Sequence, residues 1–256
     1  MITLKSEREI ALMKEAGKIV ALAHLAASKM MKPGVSTAQI DEEVERVIRS
    51  HGAIPSFKGY GGFPASICAS INEVVIHGIP SEKTILKDGD IIAIDIGAIY
   101  KGYHGDSAKT YLVGSVSEDA KRLVEITKQS FYEGIKFAKP NNRLSDISHA
   151  IEHYVKQFGY SVVESFTGHG IGTKLHEDPA IPNFGEAGTG PILKKGMTLA
   201  IEPMVNIGKK DVVVLKDNWT VVTKDRSLSA HYEHTIVITD TGYEILTICE
   251  GGEFDV

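Results

Sequence analysis

One offset lays two parts of this chain on each other, and no other feature restricts the fold as much. A shift of 107 residues puts Lys32-Pro33 on Lys139-Pro140, Ile40 on Ile147, Val44 on Ile151 and Gly52 on Gly159. The same shift carries KDGDIIAID (87 to 95) onto KKGMTLAIE (194 to 202), so that Asp95 falls on Glu202. Self-similarity at one fixed period outranks local pattern, because it implies one supersecondary unit used again.

The unit reads helix, Pro break, helix, Gly, strands. Ser6 with Glu9 is a capping box, and the segment behind it carries Ile10, Met13, Val20 and Leu25 at near-helical spacing until Pro33-Gly34 stops it. A second helix starts at Ser36 with Gln39 at its third position, shows Ile40, Val44, Val47 and Ile48 on one face, and ends at Gly52. Further helices are predicted over 117–138 and 144–158, parted by Pro140-Asn141-Asn142 and closed by Gly159, with β-rich runs over 63–113 and 161–247. The expectation is one α+β domain covering residues 1–256, made of repeats of about 6–113 and 117–247. Acids at matched positions then come together across a pseudo-twofold axis.

Asp95 interrupts an apolar, β-branched run, DIIAIDIGAIY. A hairpin centred on Tyr100-Lys101 pairs residues whose numbers sum to 201, which sets Asp95 directly opposite Asp106. Like charges so placed, with Cβ atoms about 5 Å apart, repel unless a cation lies between them. The second copy offers Glu202 in TLAIEPMV and Glu233 in SAHYEHTIVIT, 31 positions apart against 11. Each uncompensated buried charge costs several kcal/mol, and two divalent cations would cancel four carboxylates. Oxygen donors with an imidazole favour Mn, Fe, Co or Zn over Ca or Mg. His169 in FTGHGIGTKLHED supplies the imidazole, since glycines on both sides let a ligand approach closely. Such a site generates hydroxide at neutral pH and polarises a carbonyl, which is hydrolase chemistry. His104 and His231 lie two residues before Asp106 and Glu233, on the same strand faces, and spacing alone leaves them open as ligands. His24, His51, His149, His153 and His234 read as structural residues.

Composition narrows the remaining classes. A net charge of −5 and a pI near 6.1 provide no basic stripe for nucleic acid. Apolar stretches fall short of the ~20 residues that span a bilayer, MITLKSERE lacks the apolar core of a secretory signal, and Cys68 with Cys249 builds no disulfide framework. The expected location is the cytoplasm.

Over almost its whole length the chain resembles methionine aminopeptidase of type I, the bacterial-type metallopeptidases of the pita-bread fold. The resemblance is carried by ASINEVVIHGIP (69 to 80), DIGAIYKGYHGDSAKT (95 to 110), TGHGIG (167 to 172), IEPM (201 to 204) and SAHYEHTIVIT (229 to 239). It implies a duplicated helix-helix-antiparallel sheet architecture with a central curved sheet flanked by helices. It implies Asp95, Asp106, His169, Glu202 and Glu233 as ligands of two divalent ions, with Asp106 and Glu233 bridging, Asp95 on one metal, and His169 and Glu202 on the other. His104, His231 and His234 become supporting residues. The expected reaction is release of the N-terminal methionine from nascent chains when the second residue is small, by a hydroxide held between the metals. Glu202 is the expected proton shuttle, His176 the residue bonded to the scissile carbonyl, and His77 the one orienting the peptide. Tyr60, Phe63, Cys68, Leu175 and Trp219 are the implied walls of the methionine slot, and Gly59, Gly61 and Gly62 suit a loop at its mouth. Phe57 stands where relatives can carry cysteine. Asn72, Val74 and Ser229 are implied as a site for a monovalent cation, Na or K. Proline-specific aminopeptidases and dipeptidases of the same fold resemble the chain only in their catalytic half and carry a large N-terminal domain. A metal-free binding module is disfavoured by the intact set of acids. A monomer acting at the ribosome, without membrane or nucleic-acid specificity, is the expectation.

Overall fold

The computed structural model describes residues 1–248; Cys249 lies outside them. Both capping boxes form. The Ser6 N–H donates to the Glu9 carboxylate (2.7 Å) while Ser6 Oγ accepts from the Glu9 N–H, and Ser36 with Gln39 repeats the arrangement. They open α1 (Glu7–Ser28) and α2 (Thr37–Ser50). Ser117 caps α3 (Glu118–Ile135), and α4 (Leu144–Lys156) follows.

Strand Ile91–Tyr100 pairs with Ile54–Pro55, Ile67–Ile71 and Tyr103–Leu112. Its even residues Ile92, Ile94, Ile96 and Ala98 pack with Val20, Ala23, Val44 and Ile48 of α1 and α2. Its odd face is left with Asp95 and Gly97, as the period of two along a strand requires. A second core joins Leu123, Phe131, Ile147 and Ile151 of α3 and α4 to Leu199, Ile201 and Ile236. The latter belong to a five-stranded sheet ordered Tyr243–Ile245, His234–Ile238, Thr198–Ile201, Gly168–Gly170, Glu177–Ile181.

Hydrogen bonds recur at the sequence offset. The Gly34 N–H donates to Leu86 O (2.9 Å) and the Asn141 N–H to Leu193 O (3.1 Å); the Leu86 N–H donates to Val35 O (2.8 Å) and the Leu193 N–H to Asn142 O (2.8 Å). The isolated bridges Ser36 to Ile85 and Arg143 to Ile192 are related by the same shift. Gly34 and Asn141 both have left-handed backbones (φ 92° and 73°), a conformation asparagine tolerates better than most residues.

The two parts are joined through main chain. The Glu233 N–H donates to Ala108 O (2.8 Å) and the Ala108 N–H to Glu233 O (3.3 Å). Thr235 Oγ1 donates to Asp106 O (2.8 Å) and accepts from the Asp106 N–H (3.0 Å). This seam sets Asp106 and Glu233 side by side.

The hairpin register differs from the expected one. Tyr100 pairs with Tyr103, so Asp95 faces Ala108 and Asp106 faces Gly97; partners sum to 203. The turn residues are Lys101 and Gly102, both left-handed (φ 47° and 86°), the two-residue turn whose twist matches the flanking strands. Asp95 and Asp106 are therefore diagonal neighbours on one face, not direct partners. Among the described residues, no helix is long and apolar enough to cross a membrane.

Candidate metal centre

The acids reach one place from four strands or strand ends. Asp95 comes from the odd face of Ile91–Tyr100, Asp106 from the returning strand, Glu202 from the residue after Thr198–Ile201, and Glu233 from between Ser229–His231 and His234–Ile238. Asp106 and Glu233 are buried, and ligand atoms of Asp106, His169 and Glu233 lie within 4.8 Å of one another. His169 Nε2 is 3.6 Å from Glu202 Oε1 and 3.9 Å from Asp106 Oδ2.

His169 is set by its flanks. A Cβ at Gly170 would lie 2.1 Å from Asp178 O, and one at Gly168 2.4 Å from Ala200 O, so neither position admits a side chain without moving the sheet. The His169 Nδ1–H donates to Gly170 O (2.9 Å), which leaves Nε2 with a lone pair turned toward the acids.

Burial raises the carboxyls of Asp95, Asp106, Glu202 and Glu233 above the usual range; for Asp106 and Glu233, the neighbouring carboxylates push in the same direction. Burial lowers His169 and His231 to about 4. Asp95 Oδ1, Asp106 Oδ1, Glu233 Oε1 and His231 Nε2 are buried without a hydrogen-bond partner among the described residues. Lone pairs converging in a buried site, with an imidazole oriented to join them, fit a divalent cation.

The site opens into a cavity of about 150 Å³. Every residue expected as a ligand of the divalent ions, as a wall or as a catalytic group lines it: the five ligand candidates, Tyr60, Phe63, Cys68, Leu175 and Trp219, and both His77 and His176. Trp219 packs edge-on to Phe63 (5.1 Å between centroids) and His77 (6.3 Å). His77 follows strand Val74–Ile76 with a left-handed backbone (φ 59°), a strained state that clusters at functional sites. Its ring lies edge-on to Phe166 (5.9 Å), and burial lowers it to about 4. Phe57 also lines the cavity. Its ring occupies space that a side chain at Gly97 would fill, 2.8 Å from the position of that Cβ.

The remaining candidates divide. His231 Nε2 sits 3.5 Å from Glu202 Oε2, beside the acids without facing the cavity. His104 is turned away, with Nδ1 3.0 Å from Ser56 Oγ. His24 and His234 are buried with both ring nitrogens bonded, His24 to Tyr111 and Ser107, His234 to Thr247 and Tyr232. His51, His149 and His153 lie outside the cavity. Asn72, Val74 and Ser229 stand apart from it; the Ser229 N–H donates to Asn72 O (2.9 Å), and the Asn72 side chain is taken by Asp90 and the Ile91 N–H. Sequence reasoning missed Phe166, the His231 to Glu202 contact, and the contact of Tyr60 Oη with His176 Nδ1 at 2.7 Å. Their partners are remote in sequence; the only local signal was Phe166 opening FTGHGIG.

Comparison with known proteins agrees with this geometry. Residues 11–240 match the family described as metallopeptidase family M24. The chain is 58% identical over 247 residues to methionine aminopeptidase 1 of Bacillus subtilis, covering 96% of this chain and 99% of that protein. It is 55% identical to methionine aminopeptidase of Clostridium acetobutylicum, covering 98% and 100%. The crystal structure of methionine aminopeptidase from Thermotoga maritima superposes with a TM-score of 0.96 at 47% identity, covering 97% and 100%. The architecture is the pita-bread fold, and the chain belongs to metallopeptidase family M24.

Proposed function

We propose that this chain is a methionyl aminopeptidase, which hydrolyses the first peptide bond of a polypeptide that begins with methionine and continues with a small residue. The observation that carries the reading is the juxtaposition of an apolar slot, walled by Tyr60, Phe63, Cys68, Leu175 and Trp219, with the acidic cluster at its inner end. The cavity of about 150 Å³ takes in the acids as well as these walls, and a thioether packs favourably between aromatic rings.

Asp95, Asp106, His169, Glu202 and Glu233 would hold two divalent ions of Co, Mn, Fe or Zn, and the ligand atoms of Asp106, His169 and Glu233 lie within 4.8 Å of one another. When bound, such ions lower the pKa of water and polarise a carbonyl. The chain's own residues do the rest. The slot fixes the methionine side chain, which brings the first carbonyl beside the acids. His176 bonds the carbonyl oxygen as charge develops on it. His77, held edge-on between Phe166 and Trp219, orients the peptide nitrogen and walls the side where a bulky second residue would have to fit. Glu202, whose carboxyl is raised by burial, carries the proton from the attacking water to the leaving amine. Cys68 stays a thiol, since burial and the surrounding acids hold it well above its ordinary value.

The same reading takes residues 1–256 as a single catalytic domain of two copied halves, about 6–113 and 117–247. It places a monovalent cation, Na or K, among Asn72, Val74 and Ser229, and a monomer in the cytoplasm acting on nascent N-termini at the ribosome.

The test is methionine release from Met-Ala-Ser and from an analogue with proline second, with Mn, Co or Fe added and again after chelation. Release that requires metal is the expected result. No release from Met-Ala-Ser with any of these ions, or undiminished release after complete metal removal, overturns the reading.

A further inference from the structure

Two imidazoles stand against each other in the cavity, His169 and His176, with ring centroids 4.3 Å apart. Their Nδ1 atoms meet partners of different kind, a carbonyl that only accepts and a hydroxyl that donates or accepts. His169 Nδ1 faces the Gly170 carbonyl oxygen (2.9 Å), which can only accept, so the proton is on Nδ1 and Nε2 is a lone pair. His176 Nδ1 faces the Tyr60 hydroxyl (2.7 Å), which can donate.

A neutral imidazole has one N–H and one lone pair, so two arrangements are open to His176. With the proton on Nδ1, Nε2 would present only a lone pair to the cavity and could not donate to a carbonyl. With Tyr60 O–H donating to Nδ1, the proton sits on Nε2, where a developing oxyanion needs it. The turn Tyr60–Gly62 holds the phenol in place to do this, since the Tyr60 N–H donates to Phe57 O (2.9 Å) and the Phe63 N–H to Tyr60 O (2.9 Å).

We propose that Tyr60 is a positioning residue that donates its hydroxyl proton to His176 Nδ1 and so fixes His176 in the Nε2–H tautomer, the one able to donate to the scissile carbonyl. The inference rests on the role given to His176 in the proposed function. It gives neighbouring histidines opposite roles, one a lone-pair donor toward metal and the other a proton donor toward substrate, through the polarity of their Nδ1 partners.

The test begins with ¹⁵N-labelled histidine in the metal-loaded protein, at a pH where the ring is neutral. His176 Nδ1 of the wild type is expected in the unprotonated range, and Tyr60→Phe is expected to give a mixture of tautomers while His169 is unchanged. In peptide hydrolysis, Tyr60→Phe should lower kcat on the order of tenfold with KM kept within about twofold. In a His176→Ala background it should add no further loss. A wild-type His176 protonated on Nδ1, an effect of Tyr60→Phe on KM alone, or an equal loss in both backgrounds overturns the proposal. Wild-type protein that releases no methionine defeats the functional reading instead, and the tautomer measurement still decides the role of Tyr60.

Discussion

The two halves of the molecule supply their acids by different means. In the first, Asp95 and Asp106 come from one hairpin closed by the two-residue turn Lys101-Gly102. In the second, Glu202 and Glu233 are separated by an excursion through Val212–Val214 and Val221–Thr223, and the latter strand pairs with Val74–Ile76 of the first half. The short connection fixes charge with a minimum of chain. The long one keeps the acids in place through the seam at Ala108 and Glu233 and uses the added residues to bring Trp219 onto the cavity. One half is specialised for holding cations, and the other also shapes the substrate slot.

That division can be broken most severely at the seam. Asp106→Asn and Glu233→Gln should each abolish metal retention and lower kcat by more than a thousandfold, well beyond the ~10–100-fold typical of an outer-shell partner, with circular dichroism unchanged. Either variant recovered active and with full metal content by elemental analysis sinks the shared role of these acids. Trp219→Ala should separate cation holding from substrate shaping, with kcat/KM for Met-Ala-Ser expected to fall about thirtyfold, about 2 kcal/mol, and metal content intact. Loss of metal in that variant would erase the distinction between the halves.

A pH series on chelated protein probes the acids of both halves together. Burial raises Asp95 to about 7 and Glu202 to about 8, so the folded chain binds more protons than the unfolded one between about pH 4 and 8. These carboxyls therefore make the apo protein less stable as pH rises through that window. His77, His104, His169 and His231, lowered to about 4, and His24, lowered to about 3, act in the opposite direction until their unfolded forms have lost their protons, at about pH 7.5. From pH 7.5 to 9 the apo protein should lose about 1 kcal/mol in denaturant titrations while the metal-loaded protein does not. An apo protein with no loss over that range would show that the acids are relieved without a cation. The smallest effect is expected at the hairpin tip, where Gly102→Ala at φ 86° should cost about 1 kcal/mol in thermal melts and leave metal stoichiometry unchanged.

Much of this was legible in the chain, for identifiable reasons. Ser6 with Glu9 and Ser36 with Gln39 marked helix starts because a capping box is satisfied within three residues. Asp95 and Glu202 stood out because an acid broke an apolar strand twice at one offset. The hairpin register was not legible, since it turns on Lys101 taking a left-handed backbone, which lysine does not advertise. Nor were the duties of the histidines. His231 acquires its place from Glu202, His104 from Ser56 and His176 from Tyr60, 116 positions away, and composition around each one is silent about such partners.

The main-chain bonds between residues 108 and 233 tie a strand of the first half to the segment of the second that carries Glu233. A molecule built this way has no hinge along its midline, because parting the halves would unpair buried amides and dismantle the acid cluster at once. The segment that carries Phe57, Tyr60 and Phe63 lines the cavity, with Tyr60 exposed and both phenylalanines buried. Stapling the halves together should therefore leave turnover untouched.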